Sequence, residues 1–176
     1  MHCFDVCNGD ADGLIARHQY RLSFPLPAER VTLVTGLERE VALLLRVETQ
    51  FCDLKNTDIC VFDISHDQNA ASAQRLLKSG ATIRYFDHRR ASQLRLHPRL
   101  AAHIDTSADI CTSLIVDHHL GGAHRASAIA AAFGDNLIEI AEQHAQQANL
   151  TGEQSLVLRG LGKCSNYKAC GARSRH

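Results

Sequence analysis

An excess of charge of either sign is the first thing this sequence lacks. Lys plus Arg and Asp plus Glu each number 19 in 176 residues. A protein that grips nucleic acid over a broad face shows a basic surplus, so a tight binder of that kind is disfavoured, while a local groove stays compatible. Long apolar runs are also absent, and no stretch approaches the ~20 residues needed to span a bilayer. The opening Met1-His2-Cys3-Phe4-Asp5 lacks the basic-then-apolar layout of a secretory leader. The cysteines (Cys3, Cys7, Cys52, Cys60, Cys111, Cys164 and Cys170) show no Cys-x-x-Cys spacing, which leaves a zinc ribbon without support. Their odd number and scatter fit a reducing cytoplasm. Cys3, Cys7 and Cys60 lie in apolar runs and read as small buried hydrophobes. No internal repeat and no low-complexity segment is present.

What is there is an ordinary globular composition, 45% hydrophobic and 22% charged. The length suits one domain, since a chain of ~150 residues already buries about 68–70% of its unfolded surface. Short apolar runs at 3–7, 31–34, 59–63 and 82–86 predict strands. Helical patterns fall at 12–22, 38–46 and 69–78 between them. Phe24-Pro25-Leu26-Pro27 predicts a loop, because proline stops helices. Beyond about residue 107 the pattern turns helical, at 108–120, 125–133, 136–148 and 152–161. Strand–helix alternation predicts an α/β fold with a mostly parallel, Rossmann-like sheet and helices on both faces, followed by a helical second half. The expected domain covers 1–162, and polar 163–176 is expected to be an irregular tail.

Three of the apolar runs lead into aspartate: Phe4 to Asp10-Ala11-Asp12, Val61-Phe62-Asp63 and Tyr85-Phe86-Asp87. A buried parallel strand ending in an acid delivers that acid to the carboxyl edge of the sheet, where open α/β sheets bind ligands. Carboxylates gathered there repel one another unless a cation neutralises them, so a divalent metal is the first ligand to expect. Gly9 and Gly13 flank Asp10 and Asp12 and permit close approach of backbone to a ligand. The plainer alternative makes Asp12 a helix N-cap and Asp10 a turn former.

The series of motifs resembles the DHH phosphoesterase family. Asn8-Gly9-Asp10-Ala11-Asp12-Gly13 is similar to its first motif, and Asp63 in Val61-Phe62-Asp63-Ile64-Ser65 to its second. Asp87-His88-Arg89 stands where the third, Asp-His-His, belongs, and Asp135 in Gly134-Asp135-Asn136 matches the fourth. Order, strand context and spacing agree over about residues 3–160. The resemblance implies two Mn2+ (or Mg2+) ions. Asp10 would hold the first, Asp12, His88 and Asp135 the second, Asp63 would bridge them, and Asp87 would orient its neighbours. Such a pair of cations ionises a bridging water and clamps the phosphoryl oxygens of an in-line attack.

The sequence departs from that pattern in three places. Arg89 replaces the second histidine, which in the family faces the substrate phosphate and assists the leaving group. Arginine still binds phosphate through its planar fork but does not donate a proton usefully. Asn8, where family members often carry Asp or His, is a poorer metal ligand, and with Arg89 and Arg90 it is assigned to substrate contact. The residues after Lys163 are not expected to form the family's C-terminal lid domain, so an open, wet cleft is expected. A literal Asp117-His118-His119 sits inside a helical run and reads as a decoy closed by Gly121-Gly122.

The leading expectation is a divalent-metal-dependent phosphoesterase whose substrate is a phosphate-containing small molecule, such as a nucleotide, or a short nucleic acid. Its catalytic residues would be Asp87, His88 and Arg89. A catalytically impaired relic that keeps metal or phosphate binding is the alternative. A nucleotide-binding regulatory module is weaker, because two carboxylates would face the phosphate without metal.

Overall fold

Residues 2–36, 42–50, 54–92 and 94–171 are described by a computed structural model of the protein. The elements run β1 (Cys3–Asn8), α1 (Ala11–Ser23), β2 (Val31–Gly36), α2 (Leu43–Gln50), β3 (Asp58–Phe62), α3 (His66–Lys78), β4 (Thr82–Asp87) and β5 (Leu100–Ile104). Then follow α4 (Thr112–His119), α5 (Arg125–Gly134), α6 (Ile138–Gln147) and α7 (Gly152–Gly171). One sheet in the order β2-β1-β3-β4-β5 has every neighbouring pair parallel.

Both faces of the sheet are covered, so its strands are apolar at successive positions rather than alternately. Phe4, Val6, Ile59, Val61, Ile83 and Tyr85 pack against Leu44 and Val47 of α2 and Ala73, Leu76 and Leu77 of α3. On the other face Cys3, Cys7, Cys60, Phe62 and Phe86 meet Ala16 and Tyr20 of α1 with Ile115 and Val116 of α4. The three cysteines are therefore packing residues. Each such Val, Ile or Phe contributes about 1.5–3 kcal/mol by leaving water.

A third core joins the helices of the second half, through Leu114, Ala128, Ile129, Phe133 and Ala141. Its alanines and glycines let α5 and α7 cross closely. A methyl group on Gly162 would overlap the Ala130 carbonyl, and one on Gly134 would press on both Ala11 and Gly162.

The α/β class, the parallel sheet and the helices on both faces agree with the sequence reading. The differences are local. β5 falls in a segment read as loop, because Leu100-Ala101-Ala102-His103-Ile104 has neither alternation nor β-branched residues before its last position. It forms through pairing with β4 and the stacking of His103 on Phe86 at 4.7 Å. Positions 38–41 of the expected 38–46 helix lie outside the described residues, and α2 runs on to Gln50. The expected helix at 108–120 starts only at Thr112. The expected irregular tail is helical as far as Gly171. Lys163, Cys164 and Ser165 carry no helix breaker, and Ser165 Oγ donates to Leu161 O at 2.9 Å, so the helix propagates. Among the described residues no helix is long and apolar enough to cross a membrane.

Candidate metal centre

The strand order reverses between β1 and β3: β1 leads through α1 to one side of itself, and β2 leads through α2 to the other. The loops after β1 and β3 therefore diverge and open a crevice at the carboxyl edge. Asp10 follows β1, Asp63 follows β3 and Asp87 ends β4, so the three acids share that edge.

At the end of β1 the backbone is tightly confined. Gly9 N–H donates to Gly36 O at 2.9 Å, and a Cβ on Gly9 would lie 2.7 Å from that oxygen. Asp10 is extended (φ −84°, ψ −177°) and caps α1 by accepting from Gly13 N at 2.9 Å. The cap is thus Asp10 and not Asp12. Asp12 sits in the first turn, buried, and its two oxygens accept from Thr112 N at 2.7 Å and Ser113 N at 2.8 Å. It docks on the N-terminus of α4, where anions are favoured. Thr112 and Ser113 escaped the sequence reading. Their signal was a hydroxyl pair opening an apolar run, which is a helix start.

Asp63 adopts φ +58°, unusual for a residue other than glycine, although its N–H still pairs with Phe86 O at 2.9 Å. That turn aims its buried carboxylate across the crevice. Asp63 Oδ1 receives Arg89 Nη1 at 2.7 Å and the Thr112 hydroxyl at 3.1 Å, and lies 3.3 Å from His88 Nε2. Its Oδ2 receives Asn8 Nδ2 at 3.1 Å. Asp87 is fully buried, with one oxygen 3.4 Å from Arg89 Nη1 and the other lacking a hydrogen-bond partner among the described residues. Asp135 stands at the C-terminal end of α5, where its N–H is held by Ala131 O at 2.8 Å.

One ligand atom each from Asp12, His88 and Asp135 lie within 4.8 Å of one another. Oxygens on opposite sides of a Mg2+-sized ion stand about 4.2 Å apart, twice a bond of about 2.1 Å. Two hard carboxylates and an imidazole suit manganese or magnesium, so these residues fit the implied ion. Asp10 and Asp63 are not part of that close group. Arg90 is exposed, and its charge helps to lower Asp67. Asp117 of the decoy is buried and binds Arg125 at 2.9 Å, while His118 and His119 are exposed. It is a structural residue of the α4–α5 turn.

The charge balance is lopsided. Burial, then the charge of Asp63, pushes the Asp10 carboxyl up to about 7. Burial raises Asp87 to about 6, and burial followed by Asp12 raises Asp135 to about 6. Asp12 is raised by burial and by Asp63. Asp63 itself is lowered: burial opposes this, but the His88 hydrogen bond and the Arg89 charge outweigh it. In turn its hydrogen bond to Asp63 lifts His88 to about 9. Strongly shifted acids gathered in a crevice mark a candidate functional site.

Comparison with known protein families finds no match, and no curated protein matches the sequence. Solved structures do match. One, described as the DHH domain of a member of the s1p family of ribosomal proteins, aligns over 98% of this chain at 12% identity with a TM-score of 0.70. Another, the exonuclease RecJ bound to manganese, aligns over 96% at 15% identity with a TM-score of 0.57. The chain spans 48% of each of those proteins. These likenesses establish the fold.

Proposed function

We propose that this chain, which has the fold of a DHH domain, is a divalent-metal-dependent phosphoesterase acting on a nucleotide-like or short oligonucleotide phosphoester. The observation that supports this most is the convergence of Asp12, His88 and Asp135 at the switch-point crevice. Its structural resemblance to a manganese-bound exonuclease points the same way. When bound, the cation supplies Lewis-acid polarisation of a phosphoryl oxygen and lowers the pKa of water. Asp12 is held for that task by two backbone N–H groups of α4, so it does not need to reorganise. His88 must shed its proton to ligate, and its link to Asp63 orients the ring. Asp87, behind Arg89, positions the loop that carries His88.

Arg89 favours a second reading, binding with little turnover. It stands after His88, where departure of a poor leaving group would need a proton donor, and guanidinium supplies none. With its side chain 36% exposed it still has N–H groups to offer a phosphate. General acid catalysis is typically worth ~10²–10⁴ in rate, so ordinary diesters should react slower than nitrophenyl esters by that order. The test is hydrolysis of bis(p-nitrophenyl) phosphate, p-nitrophenyl phosphate and dinucleotides with and without manganese. Manganese-dependent turnover of a nitrophenyl ester, lost in Asp135→Asn, is the expected result. Manganese binding without turnover of any ester would leave the binding reading. No manganese binding at all would overturn both.

A further inference from the structure

Outside the close Asp12–His88–Asp135 group, Asp63 already has a cationic and an amide partner, and Asp10 shares the amide. Asn8 Nδ2 donates to Asp10 Oδ2 at 2.6 Å and to Asp63 Oδ2 at 3.1 Å. Arg89 Nη1 donates to Asp63 Oδ1 at 2.7 Å and to Asp63 O at 2.6 Å, and its Nη2 lies 3.3 Å from Asp63 Oδ2. The same Nη1 lies 3.4 Å from Asp87 Oδ1. Asn8 is buried, and two carboxylates surround its amide, so only the NH2 side can face them.

We propose that this chain binds one divalent cation, at Asp12, His88 and Asp135, and that Arg89 and Asn8 permanently fill the adjoining cation position between Asp10 and Asp63. The guanidinium is a built-in counter-cation there. This rests on the metal-dependent reading and deepens it by assigning the number of ions. A metal between Asp10 and Asp63 would have to displace two hydrogen-bonded side chains. It would also stand against a charge that no accessible pH removes, since guanidinium does not deprotonate in proteins. Asp63 Oδ1 already meets Arg89, Thr112 and His88, and its Oδ2 meets Asn8 and Arg89, so it has little left for bridging two ions. At Asp12, His88 and Asp135 no arginine fills the position among the described residues: Asp12 accepts from the neutral backbone N–H groups of Thr112 and Ser113.

Stoichiometry decides it. Native mass spectrometry and Mn2+ electron paramagnetic resonance on the full chain should show one manganese per molecule, with the spectrum of an isolated ion. Asp135→Asn should abolish that binding. Arg89→Ala, and more fully Asn8→Asp with Arg89→His, should take up a second manganese and give the spectrum of a coupled pair. Two ions on the unmodified chain would overturn the inference and leave the phosphoesterase reading standing. No ion on the unmodified chain would sink both. One ion on the unmodified chain and still one on the folded variants would show that Arg89 and Asn8 are not what excludes the second. The unmodified measurement stands even if a variant fails to fold.

Discussion

Two buried acidic regions share the same sheet, and they are balanced in opposite ways. Asp5, mid-strand in β1 and fully buried, meets two guanidinium groups: Arg17 Nε at 2.9 Å and Arg21 Nη2 at 2.5 Å. Both arginines lie one turn apart on α1, so a single helix face delivers them. At the carboxyl edge Asp10, Asp12, Asp63, Asp87 and Asp135 share, among the described residues, His88 and Arg89. The first region is closed, and the ion pair serves the fold. The second is short of positive charge, so the fold bears its self-repulsion, which a ligand would relieve. A buried acid signals a ligand only after its partners have been counted.

The sharpest way to break that contrast is to open the closed region. Arg21→Ala should leave Asp5 buried with one guanidinium and cost ~3–5 kcal/mol in urea unfolding, while manganese affinity stays unchanged. A matching drop in affinity would mean that the two regions are one network. In the other direction, His88→Ala or Asp135→Asn should weaken manganese binding at least ~100-fold by calorimetry, a ligand mattering no less than the groups that orient it. Metal-free stability should hardly fall in Asp135→Asn, whereas His88→Ala also removes a partner of buried Asp63 and should lower it.

A pH series sharpens the same point. Asp10, Asp87 and Asp135 titrate near 7, 6 and 6 in the folded chain, all raised. Unfolded, they titrate near ~3.9. Below about pH 4 both states are protonated and the contribution of these groups is fully present. It is lost as pH rises through about 6 to 7, because the folded chain must then hold like charges together. His88, raised to about 9, acts with the same sign at higher pH. Metal-free stability should therefore decline from about pH 4 to 7, and the rise in Tm on adding manganese should grow over that window. A manganese response that is flat across it would show the carboxylates to be ionised already. The smallest effect concerns the decoy. His118→Ala should change stability by no more than about 0.5 kcal/mol and manganese affinity not at all.

How much of this was legible follows from what each residue depends on. Asp63 and Asp87 were readable because apolar strand runs lead straight to them, and strand direction fixes the edge they reach. Asp12 was singled out, but its anchor was not, since Thr112 and Ser113 lie 100 residues and more away in sequence. The plainer alternative put the cap at Asp12 and a turn at Asp10, whereas Asp10 is the cap, because helix starts are read from sequence only to within a residue or two. β5 was hidden because an edge strand supported by one neighbour needs little strand propensity of its own. Arg89 was recognised as a departure, yet its engagement with Asp63 depends on the left-handed turn at Asp63, which composition does not reveal.

The bond between Asp12 and the start of α4 also governs timing. Because it joins residues 100 positions apart, it is expected to close late, and the contacts that bring Asp135 to the site join positions still further apart. Non-local contacts of this kind slow folding and form late along the route. A cation held by Asp12 and Asp135 would find no binding place in the transition state. Manganese should then leave the refolding rate almost untouched and slow unfolding instead, so that the bound ion acts as a latch on the finished fold.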